Sequence, residues 1–189
     1  MSRRLAEGYR DDAAVAPDAP PVAVVVAVGA NLGDRVATLS AAVTELARLP
    51  LTEVTDAAPP IETVALTASG RDESAPAYLN TVALLSTRLA PTVLLQYLHA
   101  IEARHGRARG DADAPRWQDR TLDLDLIAYG DVRSESPTLT VPHPRAAERD
   151  FVLAPWLAVD ADAVLPGRGR VAELLAALRA DDKSNEAPE

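Results

Sequence analysis

Several residue types and patterns are scarce or absent in this chain of 189 residues, and each absence narrows the range of functions. There is no cysteine, which excludes disulfides, thiolate metal sites and cysteine nucleophiles and suits a reducing cytoplasm. Aromatic residues make up only 4% of the chain, so each ring becomes a candidate for stacking on a ligand. The longest apolar run, at 22–28, is far below the roughly 20 residues that a membrane-spanning helix needs. We therefore expect a cytoplasmic protein with no membrane partner.

The charge balance is acidic, with a formal net charge of −9 at pH 7. Such a chain is a poor candidate for binding nucleic acid, because contact with many phosphates needs a basic surface. The cationic residues are nevertheless concentrated in two segments, one from Arg104 and His105 to Arg120, and one from His143 to Arg149. Local cationic groups in an acidic protein favour a small phosphorylated ligand over a polymer.

The order of apolar and turn patterns indicates an α+β fold. The predicted elements are a buried strand at 22–28, a helix capped by Asp34 and stopped by Pro50, strands at 51–58 and 78–87, a helix at 92–104 and a strand at 121–129. The order βαββαβ is that of a ferredoxin-like sandwich, an antiparallel sheet with two helices on one face and the other face free for a site.

The domain prediction follows from the same patterns. Residues 1–20 lack periodicity and are predicted to be a disordered leader, residues 21–180 a single domain, and residues 181–189 a disordered tail. The domain includes a C-terminal extension with a closing helix at 171–178. Residues 68–76 are predicted to form a polar loop, and Gly29 and Gly33 are attributed to tight turn geometry.

The most informative motif places Asp123 and Asp125 two residues apart in an apolar strand pattern. Strand side chains alternate between faces, so both carboxylates point away from the core on the same side. For an isolated motif of this kind, a solvated, salt-bridged strand face is the more common explanation. Here Arg116 and Arg120 precede the pair, and the combination favours Mg²⁺ with a polyphosphate.

Other residues are candidates for the same site, although each could instead have a purely structural role. The long segment 106–119 is typical of an active-site lid. Tyr78 and Phe151 could flank a flat heterocycle, and Asn80 could hydrogen-bond to its edge, although for each ring taken alone core packing is the more common role. His143 lies between two prolines on an extended segment and could donate to a phosphate.

Five motifs, taken together and in order, resemble one known family. They are V-x-x-G-A-N-L-G-D at 26–34, Y-L-N at 78–80, I-E-x-x-x-G-R-x-R at 101–109, R-W-x-x-R-T-L-D-L-D-L-I at 116–127 and L-T-V-P-H-P-x-x-x-x-R-x-F at 139–151. The chain is similar over residues 22–168 to 6-hydroxymethyl-7,8-dihydropterin pyrophosphokinases of folate biosynthesis. The resemblance implies transfer of the β,γ-pyrophosphoryl group of ATP to the pterin hydroxymethyl oxygen, with release of AMP.

The resemblance also implies roles for individual residues. Asp123 and Asp125 would hold two Mg²⁺ ions, and Arg107, Arg116 and Arg120 would join them in catalysis. The ATP contacts would be Glu102, Arg109, Arg116, Trp117, Arg120, Thr140, His143 and Arg149. The pterin contacts would be Thr63, Tyr78, Asn80, Trp117, Asp123 and Phe151.

Departures from the family pattern leave alternatives open. Gln118 and Asp119 stand where the family usually has Gly-Pro, and residues 110–115 lengthen the same loop. One alternative is a catalytically impaired homologue that binds nucleotide or pterin. The other is a different enzyme, either a nucleotidyltransferase or a kinase that transfers the γ-phosphoryl group.

Overall fold

The structure is a computed structural model that describes residues 19–67, 70–72, 76–106 and 121–185, with 65–67, 70–72 and 182–185 described by their backbone alone. Its strands are β1 (Val22–Ala30), β2 (Thr52–Ala57), β3 (Ile61–Thr63), β4 (Ala65–Thr67), β5 (Gly70–Asp72), β6 (Tyr78–Thr87), β7 (Asp123–Tyr129), β8 (Ser134–Ser136), β9 (Leu139–Val141), β10 (Val164–Leu165) and β11 (Gly169–Arg170). Its helices are α1 (Arg35–Leu46), α2 (Pro91–Arg104), α3 (Asp150–Val159) and α4 (Val171–Asn185), with a short 3₁₀ turn at Ala146–Glu148.

The central sheet has the strand order β2-β6-β1-β7, and β3 also pairs with β6. All of these pairings are antiparallel. The predicted βαββαβ order is therefore confirmed in β1, α1, β2, β6, α2 and β7. The region between β2 and β6 is more structured than predicted, because β3 extends the sheet and β4 pairs with β5. Part of the predicted polar loop at 68–76 is thus the strand β5.

Helices α1 and α2 cover one face of the sheet, as predicted. The Asp34 side chain caps α1 by accepting from the backbone N–H of Ala37 at 3.0 Å. The helix ends at Leu46, four residues before Pro50, so Pro50 is not what stops it. Apolar side chains from α1, α2 and the even-numbered positions of β1 form the main core on this face.

The second face of the sheet is not free along its whole length, and here the prediction needs correction. Helices α3 and α4 pack over one end of this face, where their apolar side chains surround Val25, Val82 and Ile127. Helix α3 is apolar on nearly every side, which is typical of a buried helix and gives no amphipathic period to detect. The other end of the face stays uncovered by these helices and carries polar side chains.

The chain ends of the predicted domain also differ from expectation. Helix α4 continues to Asn185, so the first residues of the predicted disordered tail are helical. Ala19, placed in the predicted leader, accepts a hydrogen bond from Arg88 through its carbonyl oxygen at 3.1 Å. Residues 1–18 lie outside the described part. No helix among the described residues is both long and apolar enough to cross a membrane.

Candidate active site

The polar end of the second sheet face is built from three neighbouring strands. Gly29 of β1 is flanked by Asn80 of β6 on one side and by Asp123 of β7 on the other. One pleat further along, Ala27 lies opposite Asp125. Because strand side chains alternate, Asp123 and Asp125 share this face while Leu124 and Leu126 are buried in the main core. The predicted same-face arrangement of the two carboxylates is therefore confirmed.

Asp125 contacts two side chains, Arg149 and His143, from the segment before α3. Its Oδ2 atom accepts from Nη1 of Arg149 at 2.6 Å and lies 3.8 Å from Nε2 of His143. Both contacts fall on the same carboxylate oxygen. All three side chains are partly exposed, with 19–29% of each accessible. The sequence placed Asp125 in one motif and His143 and Arg149 in another, and the fold brings them together.

The backbone fixes the position and tautomer of His143. Its N–H donates to the carbonyl of Ile127 on β7 at 2.9 Å, and its Nδ1 accepts from the N–H of Arg145 at 3.2 Å. A neutral imidazole with Nδ1 as acceptor carries its proton on Nε2, the atom nearest to Asp125. Burial lowers the pKa of His143 below its usual value, and the nearby Arg149 adds to this, while Asp125 acts in the opposite direction. His143 is therefore a neutral donor at pH 7.

Glu102 lies behind the carboxylate strand. It is fully buried in α2, and its Oε1 accepts from the N–H of Leu124 at 3.0 Å. Leu124 separates Asp123 from Asp125, so this bond fixes the strand at the carboxylate pair. Its burial supports a positioning role, and a direct contact of Glu102 with ATP stays a prediction.

Three of the side chains predicted to bind a pterin lie on the β6 side of the same face. Asn80 is nearly buried and donates through Nδ2 to Oγ1 of Thr63 on β3 at 2.7 Å. Tyr78 is the direct cross-strand partner of Thr63 and shares the face of Asn80, two residues away. The predicted set Thr63, Tyr78 and Asn80 is thus brought together.

Phe151 lies at the start of α3, next to the carboxylate site. The guanidinium carbon of Arg149 is 5.6 Å from the centre of its ring, a cation–π distance. Part of Phe151 also packs on the apolar side chains beneath α3 and α4. Phe151 therefore connects the covered end of the face to the polar end.

A cleft of about 540 Å³ opens beside His143, between the β8–β9 hairpin and the β10–β11 turn. Thr140, predicted as an ATP contact, lines this cleft together with His143. Arg133 and Arg168 line it too, and sequence reasoning missed them because they belong to no motif. Each of these two arginines is isolated in the sequence. An isolated arginine is usually a solvated surface residue, so its positive charge alone does not mark a site.

Arg104 and His105 do not belong to an anion site, contrary to the sequence-based grouping. Both bind the carboxylate of Glu45 on α1, Arg104 through Nε at 2.9 Å and His105 through Nε2 at 2.7 Å. Partial burial raises the pKa of Glu45, but hydrogen bonds from Arg104 and His105 outweigh this and lower it overall. Both side chains are thus engaged with Glu45 at the end of α2.

Several predicted site residues lie outside the described residues. These are Arg107, Arg109, Arg116, Trp117 and Arg120, together with Gln118 and Asp119. Among the described residues, no group of three or more His, Asp or Glu side chains could hold a metal ion by itself. The carboxylate pair fits Mg²⁺ as a partial ligand set, since Mg²⁺ in nucleotide sites takes one or two carboxylates and completes its shell with phosphate oxygens and water.

Comparison with known proteins gives a consistent picture. The family model described as 7,8-dihydro-6-hydroxymethylpterin-pyrophosphokinase (HPPK) matches residues 25–161. A 2-amino-4-hydroxy-6-hydroxymethyldihydropteridine pyrophosphokinase of Pseudomonas aeruginosa is 38% identical over 154 residues, covering 82% of this chain and 90% of that protein. The Haemophilus influenzae protein of the same name is 33% identical over 154 residues, covering 82% and 91%.

Solved structures share the fold at low sequence identity. A Plasmodium falciparum HPPK-DHPS variant with pterin and p-hydrobenzoate superposes with a TM-score of 0.68 at 11% identity, covering 93% of this chain and 47% of that chain. The wild-type protein with SDX-DHP also gives a TM-score of 0.68, at 9% identity, covering 94% and 48%. The chain thus spans about half the length of these structural relatives, and the likeness concerns the fold alone.

Proposed function

The chain belongs to the 7,8-dihydro-6-hydroxymethylpterin-pyrophosphokinase family, and on that premise we propose that it transfers the β,γ-pyrophosphoryl group of ATP to 6-hydroxymethyl-7,8-dihydropterin. In this reaction the hydroxymethyl oxygen bonds to the β-phosphorus, and the bond from that phosphorus to the oxygen bridging to the α-phosphate breaks. The hydroxyl proton is lost, and the products are AMP and the pterin diphosphate. This is a step of tetrahydrofolate biosynthesis.

One observation carries the proposal. Asp123 and Asp125 lie at the end of a sheet face that α3 and α4 leave open, with donors from His143 and Arg149 on one side and the Asn80 amide on the other. This reaction needs three kinds of group: carboxylates that bind the metal, hydrogen-bond donors for the phosphate oxygens, and an amide that bonds to the edge of the heterocycle. Their convergence at the polar end of this face supports a site for both substrates.

Asp123 and Asp125 would hold Mg²⁺, two ions being expected from the resemblance. Bound there, the metal would neutralise charge on the triphosphate and align it for in-line displacement. Among the described residues, Asp125 makes these contacts through Oδ2 alone. Its Oδ1 can therefore serve as a metal ligand without breaking the pair with Arg149.

The phosphate groups would be bound by Arg149 and by the Nε2–H of His143. An arginine can bind phosphate through two parallel hydrogen bonds, and a neutral histidine adds a donor without a further charge. Thr140 and the cleft beside it would accommodate the nucleoside end of ATP. Arg107, Arg109, Arg116, Trp117 and Arg120 are proposed to complete the nucleotide site.

The pterin would bind at the β6 side of the face, between the rings of Tyr78 and Phe151. Asn80 offers a donor and an acceptor to the polar edge of the heterocycle, next to Thr63 and Asp123. Catalysis would then rest on positioning the hydroxymethyl oxygen and on neutralising phosphate charge, and no covalent enzyme intermediate is required.

The nucleotide product tests this proposal. The protein is incubated with Mg²⁺, ATP and 6-hydroxymethyl-7,8-dihydropterin, and the nucleotides are separated by chromatography. We expect AMP in equimolar amount with the pterin diphosphate, and none of either product when the metal is chelated. The matched control is Asp123→Asn, which keeps the shape of the side chain and removes its charge.

Other products would contradict the proposal in distinct ways. Formation of ADP would indicate a kinase that transfers the γ-phosphoryl group, and release of pyrophosphate would indicate a nucleotidyltransferase. Binding of ATP and pterin without any product would indicate the catalytically impaired homologue, for which Gln118 and Asp119 would be the first residues to restore to Gly-Pro.

A further inference from the structure

Gly29 lies in the middle of the proposed site, and turn geometry does not explain it. The residue is inside strand β1, whereas Gly33 in the following turn has the positive φ of 66° that favours glycine. Glycine weakens a strand, because it has no side chain to pack and loses more conformational freedom on folding. A glycine inside a strand often marks the close approach of another group.

The group that approaches Gly29 is the side chain of Asn80. A Cβ atom placed on Gly29 would lie 2.8 Å from Oδ1 of Asn80, closer than a carbon and an oxygen can pack without displacement. Gly29 and Asn80 are cross-strand partners in β1 and β6. The Asn80 amide therefore lies across the backbone of β1, in space that any other residue at position 29 would fill.

The opposite side of the amide is held by Thr63. Nδ2 of Asn80 donates to Oγ1 of Thr63 at 2.7 Å, so the nitrogen points to β3 and the oxygen to β1. This leaves the second N–H of the amide and lone pairs of Oδ1 for a ligand. The two groups form an adjacent donor and acceptor in a side chain that is only 8% exposed.

We infer that Gly29 is a positioning residue for recognition of the pterin, acting through the orientation of the Asn80 amide. The inference rests on the proposed function, because the pterin is the flat heterocycle whose donor and acceptor edge the amide would meet. Gly29 touches neither substrate in this account. Its contribution is the absent Cβ, which allows Asn80 to present its donor and acceptor in one fixed direction.

The first test is Gly29→Ala. The φ of Gly29 is not in the left-handed region, so β1 can accept alanine, and the atom that must move is the end of the Asn80 side chain. Binding of 6-hydroxymethylpterin is measured by its fluorescence, with Mg²⁺ and a non-hydrolysable ATP analogue present. We expect the Kd for the pterin to rise about five- to tenfold, the order for one misplaced hydrogen-bonding group. The Kd for the ATP analogue and the Tm should stay at the wild-type values.

A double-mutant cycle separates positioning from a general disturbance of the sheet. In an Asn80→Ala background the amide is gone, so Gly29→Ala should weaken pterin binding no further. Thr63→Val should weaken binding like Gly29→Ala because it removes the acceptor of the amide, and Thr63→Ser, which keeps the hydroxyl, should restore it. An equal loss from Gly29→Ala with and without the Asn80 amide would overturn the inference, as would a parallel loss of ATP affinity.

The same measurements distinguish this inference from the proposed reaction. Pterin binding that depends on Gly29 as described, without AMP formation, would support the inference and contradict the reaction. AMP formation by the wild type, with an unchanged pterin Kd in Gly29→Ala, would support the reaction and contradict the inference. A wild-type protein that binds no pterin would overturn both.

Discussion

The two ends of the second face of the central sheet differ in polarity and in whether helices cover them. At one end, α3 and α4 cover Val25, Val82 and Ile127, and the side chains are apolar and closely packed. At the other end, β6 carries Asn80 and β7 carries Asp123 and Asp125, with Gly29 of β1 between them, and these helices do not cover this end. Ile127 and Asp125 are only two residues apart on β7.

This difference shows how one sheet can serve both stability and chemistry. The covered end buries apolar surface, which is the main favourable term in folding. It also holds the start of α3, and with it Arg149 and Phe151, against the carboxylates. The polar end then keeps a like-charge pair that a core could not tolerate without a cation. Substitutions at the two ends should therefore affect different measurements.

The largest expected effect is on turnover at the polar end. Asp123→Asn and Asp125→Asn should each lower the rate of AMP formation by more than about a hundredfold, because coordination of the metal contributes several kcal/mol to catalysis. The Tm of the protein alone should change little, while the rise in Tm on adding Mg²⁺ and an ATP analogue should be lost. Near-wild-type turnover in either variant would show that the carboxylates do not bind the metal.

The next effect is on stability at the covered end. Ile127→Ala removes a fully buried side chain, and we expect the free energy of unfolding to fall by about 2–4 kcal/mol. Activity of the folded protein should stay within a few-fold of wild type. The control is Val132→Ala, since Val132 is exposed just beyond the same strand and its truncation should change little. Loss of turnover in Ile127→Ala without loss of stability would contradict the assignment of the covered end to stability.

A smaller effect concerns the ring of Tyr78. Tyr78→Ala should weaken pterin binding by about 1–3 kcal/mol, the range found for stacking of a base on an aromatic side chain. ATP affinity should be nearly unchanged. Tyr97→Ala, at an exposed position of α2, provides the control for loss of a surface tyrosine. Equal losses of affinity for both substrates would instead make Tyr78 a structural residue.

The smallest effect lies outside both ends, at Glu45. Its pKa is lowered in the folded state, so its ion pairs stabilise the protein above its ordinary pKa of 4.5 and are lost as the pH falls through the folded-state value. Because Arg104 is mostly exposed, we expect Glu45→Gln to reduce the free energy of unfolding at pH 7 by only about 0.5–1 kcal/mol. Denaturant unfolding at a series of pH values should show the difference from wild type shrink as the pH falls below 4.5. A difference that does not shrink as the pH falls would exclude the ionised carboxylate as its cause.

The polar end was largely predictable from the sequence, and the covered end was not. Alternation in β7 was enough to place Asp123 and Asp125 on one face, because a strand has a period of two. The apolar segment of α3 gave no such signal, since a helix that is apolar on nearly every side has no amphipathic period. The role of Gly29 was also missed, because it depends on a cross-strand neighbour 51 residues away in sequence, a distance that local patterns do not encode.

The most direct test of the account is a crystal structure with Mg²⁺, a non-hydrolysable ATP analogue and 6-hydroxymethylpterin bound together. We predict that the metal contacts Asp123 and Asp125 and that the pterin ring meets the Asn80 amide, with both ligands at the polar end of the sheet face. A triphosphate or pterin bound elsewhere, or a metal that touches neither carboxylate, would contradict the division of this face into a chemical end and a stabilising end.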